Sequence, residues 1–171
     1  LYVNREEGFV GFGLKKDEFI CDCSDIDDII AFTDEGKMKV VRIADKVFIG
    51  KKILYVAVWK KEDERMTYHM LYSDSKTGKA FAKRFNVTAI TRDKEYDLTQ
   101  GNAKSKVWYF SANPNSESEV ISLQLHPNAK AKIKIFDFDF GELAVKGRSS
   151  MGNTITKYPL RKAVQKEKGT S

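Results

Sequence analysis

Residues 28–43 read Asp-Ile-Ile-Ala-Phe-Thr-Asp-Glu-Gly-Lys-Met-Lys-Val-Val-Arg-Ile. An apolar run rich in β-branched residues leads into a polar turn that contains Gly36 and Lys37, and a second run then mixes apolar side chains with cations. Short runs of this kind on either side of a glycine turn are typical of a β-hairpin. The stretch therefore predicts two antiparallel strands.

The same pattern returns further along the chain. Residues 68–85 read Tyr-His-Met-Leu-Tyr-Ser-Asp-Ser-Lys-Thr-Gly-Lys-Ala-Phe-Ala-Lys-Arg-Phe, and Gly78 follows Gly36 by 42 residues. Shorter or looser versions occupy residues 1–14, 107–125 and 133–145. Recurring hairpins are typical of bladed β arrays. We therefore predict an all-β chain of four-stranded antiparallel blades, with a single β-sandwich of unequal hairpins as the alternative.

Composition limits the class of protein. The 171 residues are 42% hydrophobic, which is enough for a sizeable core, and no apolar run approaches the roughly 20 residues that span a bilayer. The chain opens at Leu1 rather than Met and has no signal peptide, so we expect a cytosolic piece of a longer protein. Cys21 and Cys23 are one residue apart, a spacing that disfavours a disulfide and favours reduced thiols.

Charge is unevenly distributed. Residues 1–45 hold six Lys/Arg and eleven Asp/Glu, a net charge of −5. Residues 46–112 have a net charge of +7, and residues 113–171 have a net charge of +4. A basic region of this size predicts a polyanionic partner.

The sequence shows no constellation of catalytic residues. It has no paired nucleophile and base, no phosphate-binding loop and no cluster of metal ligands, and His69 and His126 are isolated in sequence. Asp137 and Asp139 alternate with phenylalanines, which is typical of a strand with one core face and one solvated face. We therefore expect no catalytic residue, metal or cofactor in this chain.

A basic, glycine-containing loop is the strongest functional feature. Residues 146–153 read Lys-Gly-Arg-Ser-Ser-Met-Gly-Asn, and Lys157, Arg161 and Lys162 follow. Glycine lets the main chain approach a phosphate closely, and the cations and hydroxyls provide donors. The loop predicts a contact with a phosphate backbone, although a solvated turn has the same composition.

The hairpins resemble a known family. Residues 28–43 are similar to the blade hairpin in the C-terminal domain of the A subunit of bacterial type IIA topoisomerases, the family of DNA gyrase and topoisomerase IV. The resemblance covers nearly the whole chain and implies a β-pinwheel, a partial ring of about three blades. The implied pinwheel spans residues 1–162, with blades near 1–45, 53–125 and 131–162 and a disordered polar tail at 163–171.

The resemblance also implies a function. Such a domain binds double-stranded DNA without sequence preference along a basic outer rim, bends or wraps it, and guides the transported segment. The catalytic tyrosine lies outside this chain, and the parent enzyme uses ATP and Mg²⁺ with the rest of the A subunit and the B subunit, which is the ATPase. The implied location is cytoplasmic, at the nucleoid, with no membrane partner. The alternative is a bladed interaction module that binds an acidic protein.

One family motif is missing. The gyrase A subunit carries a box of the form Gln-Arg-Arg-Gly-Gly-Lys-Gly, whereas residues 146–152 keep cations and two glycines in a different order. This departure favours a topoisomerase IV-like parent over a gyrase whose box precedes Leu1.

The DNA-binding candidates are cations on the expected outer strands and loops. Bending 20–30 base pairs by 40–90° costs on the order of 1–6 kcal/mol, so several phosphate contacts must offset it. The candidates are Lys79, Lys83, Arg84, Arg92, Lys94, Lys104, Lys106, Lys146, Arg148, Lys157, Arg161 and Lys162.

Overall fold

The computed structural model describes residues 1–61, 63–74, 76–99 and 105–168. These residues form strands and one short 3-10 turn, Phe140–Glu142, and none of their helices is long and apolar enough to cross a membrane. The strands are β1 Tyr2–Asn4, β2 Phe9–Gly11, β3 Glu18–Phe19, β4 Asp28–Thr33, β5 Lys37–Arg42, β6 Val47–Phe48, β7 Ile53–Trp59, β8 Thr67–Ser73, β9 Ala80–Asn86, β10 Glu95–Asp97, β11 Lys106–Asn113, β12 Glu119–Leu125, β13 Ile135–Asp139, β14 Lys146–Gly147, β15 Asn153–Thr156 and β16 Leu160–Lys168.

The chain divides into two compact units. Unit 1 comprises Leu1–Glu62 and Thr88–Asp97. It contains two four-stranded sheets with the orders β3-β1-β2-β6 and β10-β5-β4-β7. Residues 28–43 form the predicted β4–β5 hairpin, with Ile30 opposite Val40 and Gly36 at a φ of +80° in its turn. Only glycine adopts that backbone conformation without strain, so Gly36 fixes the turn.

Unit 2 comprises Asp63–Val87 and Leu98–Ser171. Its first sheet has the order β11-β8-β9-β14, and β15 also pairs with β9, while its second sheet has the order β13-β12-β16. Leu71, Ile121, Leu123 and Phe140 are fully buried between these strands. The alternation of buried and half-buried residues along β12 shows that one face of the second sheet is turned to this core.

Three of the four sheets share one plan. A central hairpin (β1–β2, β4–β5 or β8–β9) has a further strand on each side. In the fourth sheet β12 pairs with β13 and β16, and β13 has no second partner among the described strands. The prediction of an all-β, bladed fold is confirmed.

The strands are grouped differently from the predicted blades. The hairpins of residues 1–14 and 28–43 lie in separate sheets, and residues 107–125 do not form a hairpin, since β11 pairs with β8 while β12 pairs with β13 and β16. The turn between β11 and β12 explains the difference. The Ser116 N–H and hydroxyl both donate to the Arg65 carbonyl, at 2.9 Å each, which directs the chain out of the first sheet.

The polar C-terminal segment is also ordered further than expected. Residues 163–168, expected to be disordered, continue β16 and pair with β12. Val164 lies opposite Ser122, and the Lys166 ammonium pairs with the Asp137 carboxylate across the sheet. Strand pairing therefore compensates for the polar composition. Residues 169–171 lie outside the described residues.

Candidate nucleic-acid interface

Positive charge is concentrated in unit 2. Its residues include 17 Lys/Arg and 9 Asp/Glu, a net charge of +8, whereas unit 1 has 13 Lys/Arg and 15 Asp/Glu, a net charge of −2. A polyanion is therefore attracted to unit 2 rather than to unit 1.

Three predicted cations meet at one end of the first sheet of unit 2. Lys106 is opposite Ser73, Ser73 is opposite Ala80, and Ala80 is opposite Thr156, so one row crosses the sheet. Lys79 and Lys157 are the chain neighbours of Ala80 and Thr156, just beyond the last pair of the ladder between β9 and β15. We call these three exposed lysines, Lys79, Lys106 and Lys157, the basic sheet end.

Aromatic rings support two cations of the basic sheet end. The Lys106 ammonium lies 4.0 Å from the centre of the Trp108 ring, and the Lys157 ammonium lies 5.5 Å from the centre of the Tyr158 ring. Such contacts steady a long side chain while its charged end stays in solvent. The two charges are therefore held near the sheet and remain available to an anion.

The predicted basic loop is present, but in a different sheet from the one expected. Residues 146–153, which we call the basic loop, run from β14 to the start of β15, and both strands pair with the outer edge of β9. The Ser150 N–H and hydroxyl both donate to the Gly147 carbonyl, at 3.1 and 2.8 Å. Lys146 is exposed and Arg148 is half-buried. The loop therefore belongs to the same sheet as the basic sheet end.

The prediction that Lys83 contacts DNA is wrong. Its side chain is buried, with 3% of the residue exposed. The ammonium group donates to the carbonyls of Leu98 at 3.0 Å, Arg148 at 2.7 Å and Ser150 at 2.8 Å. Because all three donors of the ammonium are occupied by main-chain oxygens, none is left for a phosphate.

Arg84 is also engaged inside unit 2. Its Nε donates to His69 Nε2 at 3.1 Å, and a terminal nitrogen donates to the Ser116 carbonyl at 2.8 Å. Burial lowers the pKa of the Arg84 guanidinium, and the nearby Asp139 carboxylate opposes that effect. These bonds make Arg84 a structural cation and remove it from the candidates of first choice.

Arg84 belongs to a buried polar network that the sequence pattern did not predict. Since Arg84 donates to His69 Nε2, the imidazole proton is on Nδ1, which lies 2.6 Å from Glu119 Oε1. The Glu119 carboxylate also accepts from the side chains of Ser111, Tyr109 and Gln165. The one sequence feature that indicates it is the alternation in β12, which places Glu119 on the same face as Ile121 and Leu123.

Hydrogen bonding decides the ionisation of this network. Burial raises the pKa of Glu119, but the four donors outweigh it and bring the pKa down from 4.5 to about 2. Burial and the bond to Glu119 raise the pKa of Tyr109. Glu119 is therefore a buried carboxylate at neutral pH, held by its donors.

The other predicted cations do not join one cluster. Arg92 and Lys94 belong to unit 1, where Arg92 Nε lies 3.0 Å from the Asp28 carboxylate, which Arg42 also contacts at 3.3 Å. The Lys94 side chain is exposed, with its ammonium 5.1 Å from the centre of the Tyr96 ring. Arg161 and Lys162 are exposed on β16. Lys104 lies outside the described residues.

Within the described ranges, no group of three or more His, Cys, Asp or Glu side chains could hold a metal ion.

Comparison with known proteins identifies the family. A family model described as the topoisomerase C-terminal domain, Bacteroidota, matches residues 1–168. The chain belongs to this topoisomerase C-terminal domain family. It is also 29% identical over 163 residues to the A subunit of DNA topoisomerase 4 from Borreliella burgdorferi, a match that covers 95% of this chain. The predicted resemblance to the A subunit of type IIA topoisomerases is thereby confirmed. The chain spans about a quarter of that relative, 24% of its length.

Proposed function

We propose that this topoisomerase C-terminal domain binds duplex DNA through unit 2 and bends or wraps it for a type IIA enzyme of the topoisomerase IV kind. The observation that carries the proposal is the placement of the basic sheet end and the basic loop on one sheet. Four exposed lysines and the half-buried Arg148 lie on that sheet, in the unit that has a net charge of +8.

The spacing of these cations suits a phosphate backbone. Neighbouring strands are about 4.8 Å apart, so the row from Lys106 to Thr156, the chain neighbour of Lys157, crosses three spacings, about 14 Å in all. B-DNA carries one negative charge per about 1.7 Å of helix axis, so several phosphates fall within that span. Lysines that contact phosphates position the protein without reading bases, and binding is therefore independent of sequence.

The rest of the enzyme supplies the chemistry in this proposal. The catalytic tyrosine lies in the remainder of the A subunit, and the parent enzyme takes ATP and Mg²⁺ with its B subunit, the ATPase. The domain itself guides the transported DNA segment and is not catalytic. Its place of action is the cytoplasm, at the nucleoid.

Removing the charge of the basic loop tests the proposal. The double variant Lys146→Ala/Arg148→Ala should bind every duplex more weakly and reduce the slope of log affinity against log salt by up to about 2. The matched control is Lys15→Ala/Lys16→Ala, which removes two exposed cations from unit 1. The control should leave the slope unchanged. If both variants change the slope equally, or if neither changes it, the placement of DNA on the loop is contradicted.

A second candidate function has one specific observation in its favour. Unit 2 has an open groove of about 530 Å³ lined by Leu125, Phe136 and Tyr158 together with lysines 130 and 132 and the exposed Ile133. Apolar walls with a basic margin suit an acidic protein segment that carries apolar side chains. Binding that is indifferent to DNA length but competes with an acidic polypeptide would favour this alternative.

A further inference from the structure

We infer that Lys83 is a positioning residue that holds the basic loop in its DNA-binding conformation, an inference that rests on the proposed function. Lys83 lies in the middle of β9, beneath the loop, and is 3% exposed. A buried ammonium is costly unless every donor is satisfied. Here the three donors are satisfied by three main-chain carbonyls, two of which belong to the loop.

The bonds fix the middle of the loop. The carbonyls of Arg148 and Ser150 both turn inward to one nitrogen, at 2.7 and 2.8 Å. Two carbonyls bound to the same ammonium restrict the Arg148–Ser149 and Ser150–Met151 peptide planes. Bonds to a charged donor are about twice as strong as neutral ones, so this restriction is firm.

A second anchor holds the end of the loop. The Gly152 N–H donates to the Tyr72 hydroxyl at 3.2 Å. A Cβ at position 152 would lie 2.9 Å from that hydroxyl oxygen and 3.0 Å from the Phe81 Cβ, so the main chain approaches β8 and β9 more closely than a side chain allows. The loop is thus held at its middle by Lys83 and at its end by Tyr72.

The third bond of Lys83 reaches a different segment. The Leu98 carbonyl, which lies outside the loop, accepts at 3.0 Å. One buried nitrogen therefore joins the basic loop to the main chain at Leu98. Ordering the basic loop before DNA arrives lowers the entropy that binding must remove.

The test combines proteolysis with DNA binding. In Lys83→Met, the loop should open more often, and trypsin should cleave after Lys146 and Arg148 about tenfold faster than in the wild type. DNA affinity should fall by about tenfold, with a smaller salt slope. In the Lys146→Ala/Arg148→Ala background, Lys83→Met should cause no further loss, because its effect passes through those two cations.

Two companion variants keep the test decisive if Lys83→Met unfolds. Tyr72→Phe removes only the hydroxyl that holds Gly152 and should accelerate the same cleavages by a smaller factor. Lys130→Met removes an exposed cation of unit 2 and should leave those cleavages unchanged. The inference is overturned if Lys83→Met changes neither the cleavage rates nor the DNA affinity. It is also overturned if Lys83→Met lowers DNA affinity by the same factor in the Lys146→Ala/Arg148→Ala background as in the wild type. If Lys146→Ala/Arg148→Ala itself binds DNA normally, the placement of DNA on the loop fails, and with it this inference, while the cleavage rates of Lys83→Met still report on the loop conformation.

Discussion

At the scale of residues, unit 2 uses buried charge to organise its surface. Glu119 receives four side-chain donors from β8, β11 and β16, and the His69 ring stacks on Phe140 with 4.5 Å between ring centres. Lys83 does the same with main-chain carbonyls. A buried ion that is fully hydrogen-bonded holds its partners in one arrangement, and loss of a single partner is costly.

The Glu119 network predicts an acid-sensitive stability. The folded-state pKa is about 2, below the ordinary 4.5, so the contribution of Glu119 is complete above about pH 4.5 and is lost as pH falls towards 2. The shift corresponds to about 3 kcal/mol of unfolding free energy. Urea unfolding between pH 7 and pH 2.5 should show this loss in the wild type and a flatter profile in Glu119→Gln. The control, Glu142→Gln at an exposed site, should keep the wild-type profile.

Residue patterns could not separate Lys83 from its neighbours. Lys79 and Lys83 lie four positions apart in and beside β9, and both look like outward cations in sequence. They differ only because residues 146–153 cover one of them, some 65 positions later in the chain. The basic loop could be predicted from composition, whereas the strand that it lies against could not.

At the scale of elements, local hairpins were predictable, whereas the pairing of β11 and β12 with strands of two different sheets was not. The hairpins β4–β5 and β8–β9 follow from alternation around Gly36 and Gly78, whose φ values are +80° and +76°. The separation of β11 from β12 depends on the bond from Ser116 to Arg65, which joins positions 51 residues apart. Contacts of that range leave no periodic trace in the sequence.

Strand β16 gives a prediction of its own. Ending the chain after Lys162 deletes most of β16 and exposes the edge of β12, next to the buried Ile121 and Leu123. Unit 2 should then unfold at a lower urea concentration. Its free energy of unfolding should fall by several kcal/mol, because buried core area and strand-pairing hydrogen bonds are both lost. Removal of a free tail would leave the unfolding midpoint unchanged. A wild-type midpoint in the truncated chain would therefore contradict the assignment of residues 163–168 to β16.

The basic sheet end makes a second prediction at this scale. Lys79→Ala/Lys157→Ala removes two exposed charges that lie next to the last pair of the ladder between β9 and β15. DNA affinity should fall with a slope change of up to about 2, while tryptic cleavage in the basic loop stays at the wild-type rate. Faster cleavage after Arg148 in this variant would show that the two regions are not separate contributors.

At the scale of the whole molecule, family membership and charge point in the same direction. The chain is a topoisomerase C-terminal domain, and its positive charge belongs to one of its two units. The affinity for a polyelectrolyte depends more on many modest charge contacts than on one strong contact. We therefore attribute the proposed DNA binding to the sum of the basic sheet end and the basic loop.

The measurement that tests this claim most directly is the affinity of the wild-type chain for a 40-base-pair duplex as a function of salt. Five cations on one sheet, Lys79, Lys106, Lys146, Arg148 and Lys157, predict a slope of log affinity against log salt of about −4 to −5. Affinity should also rise with duplex length. A slope near zero, or weak binding at low salt that does not depend on length, would contradict the claim.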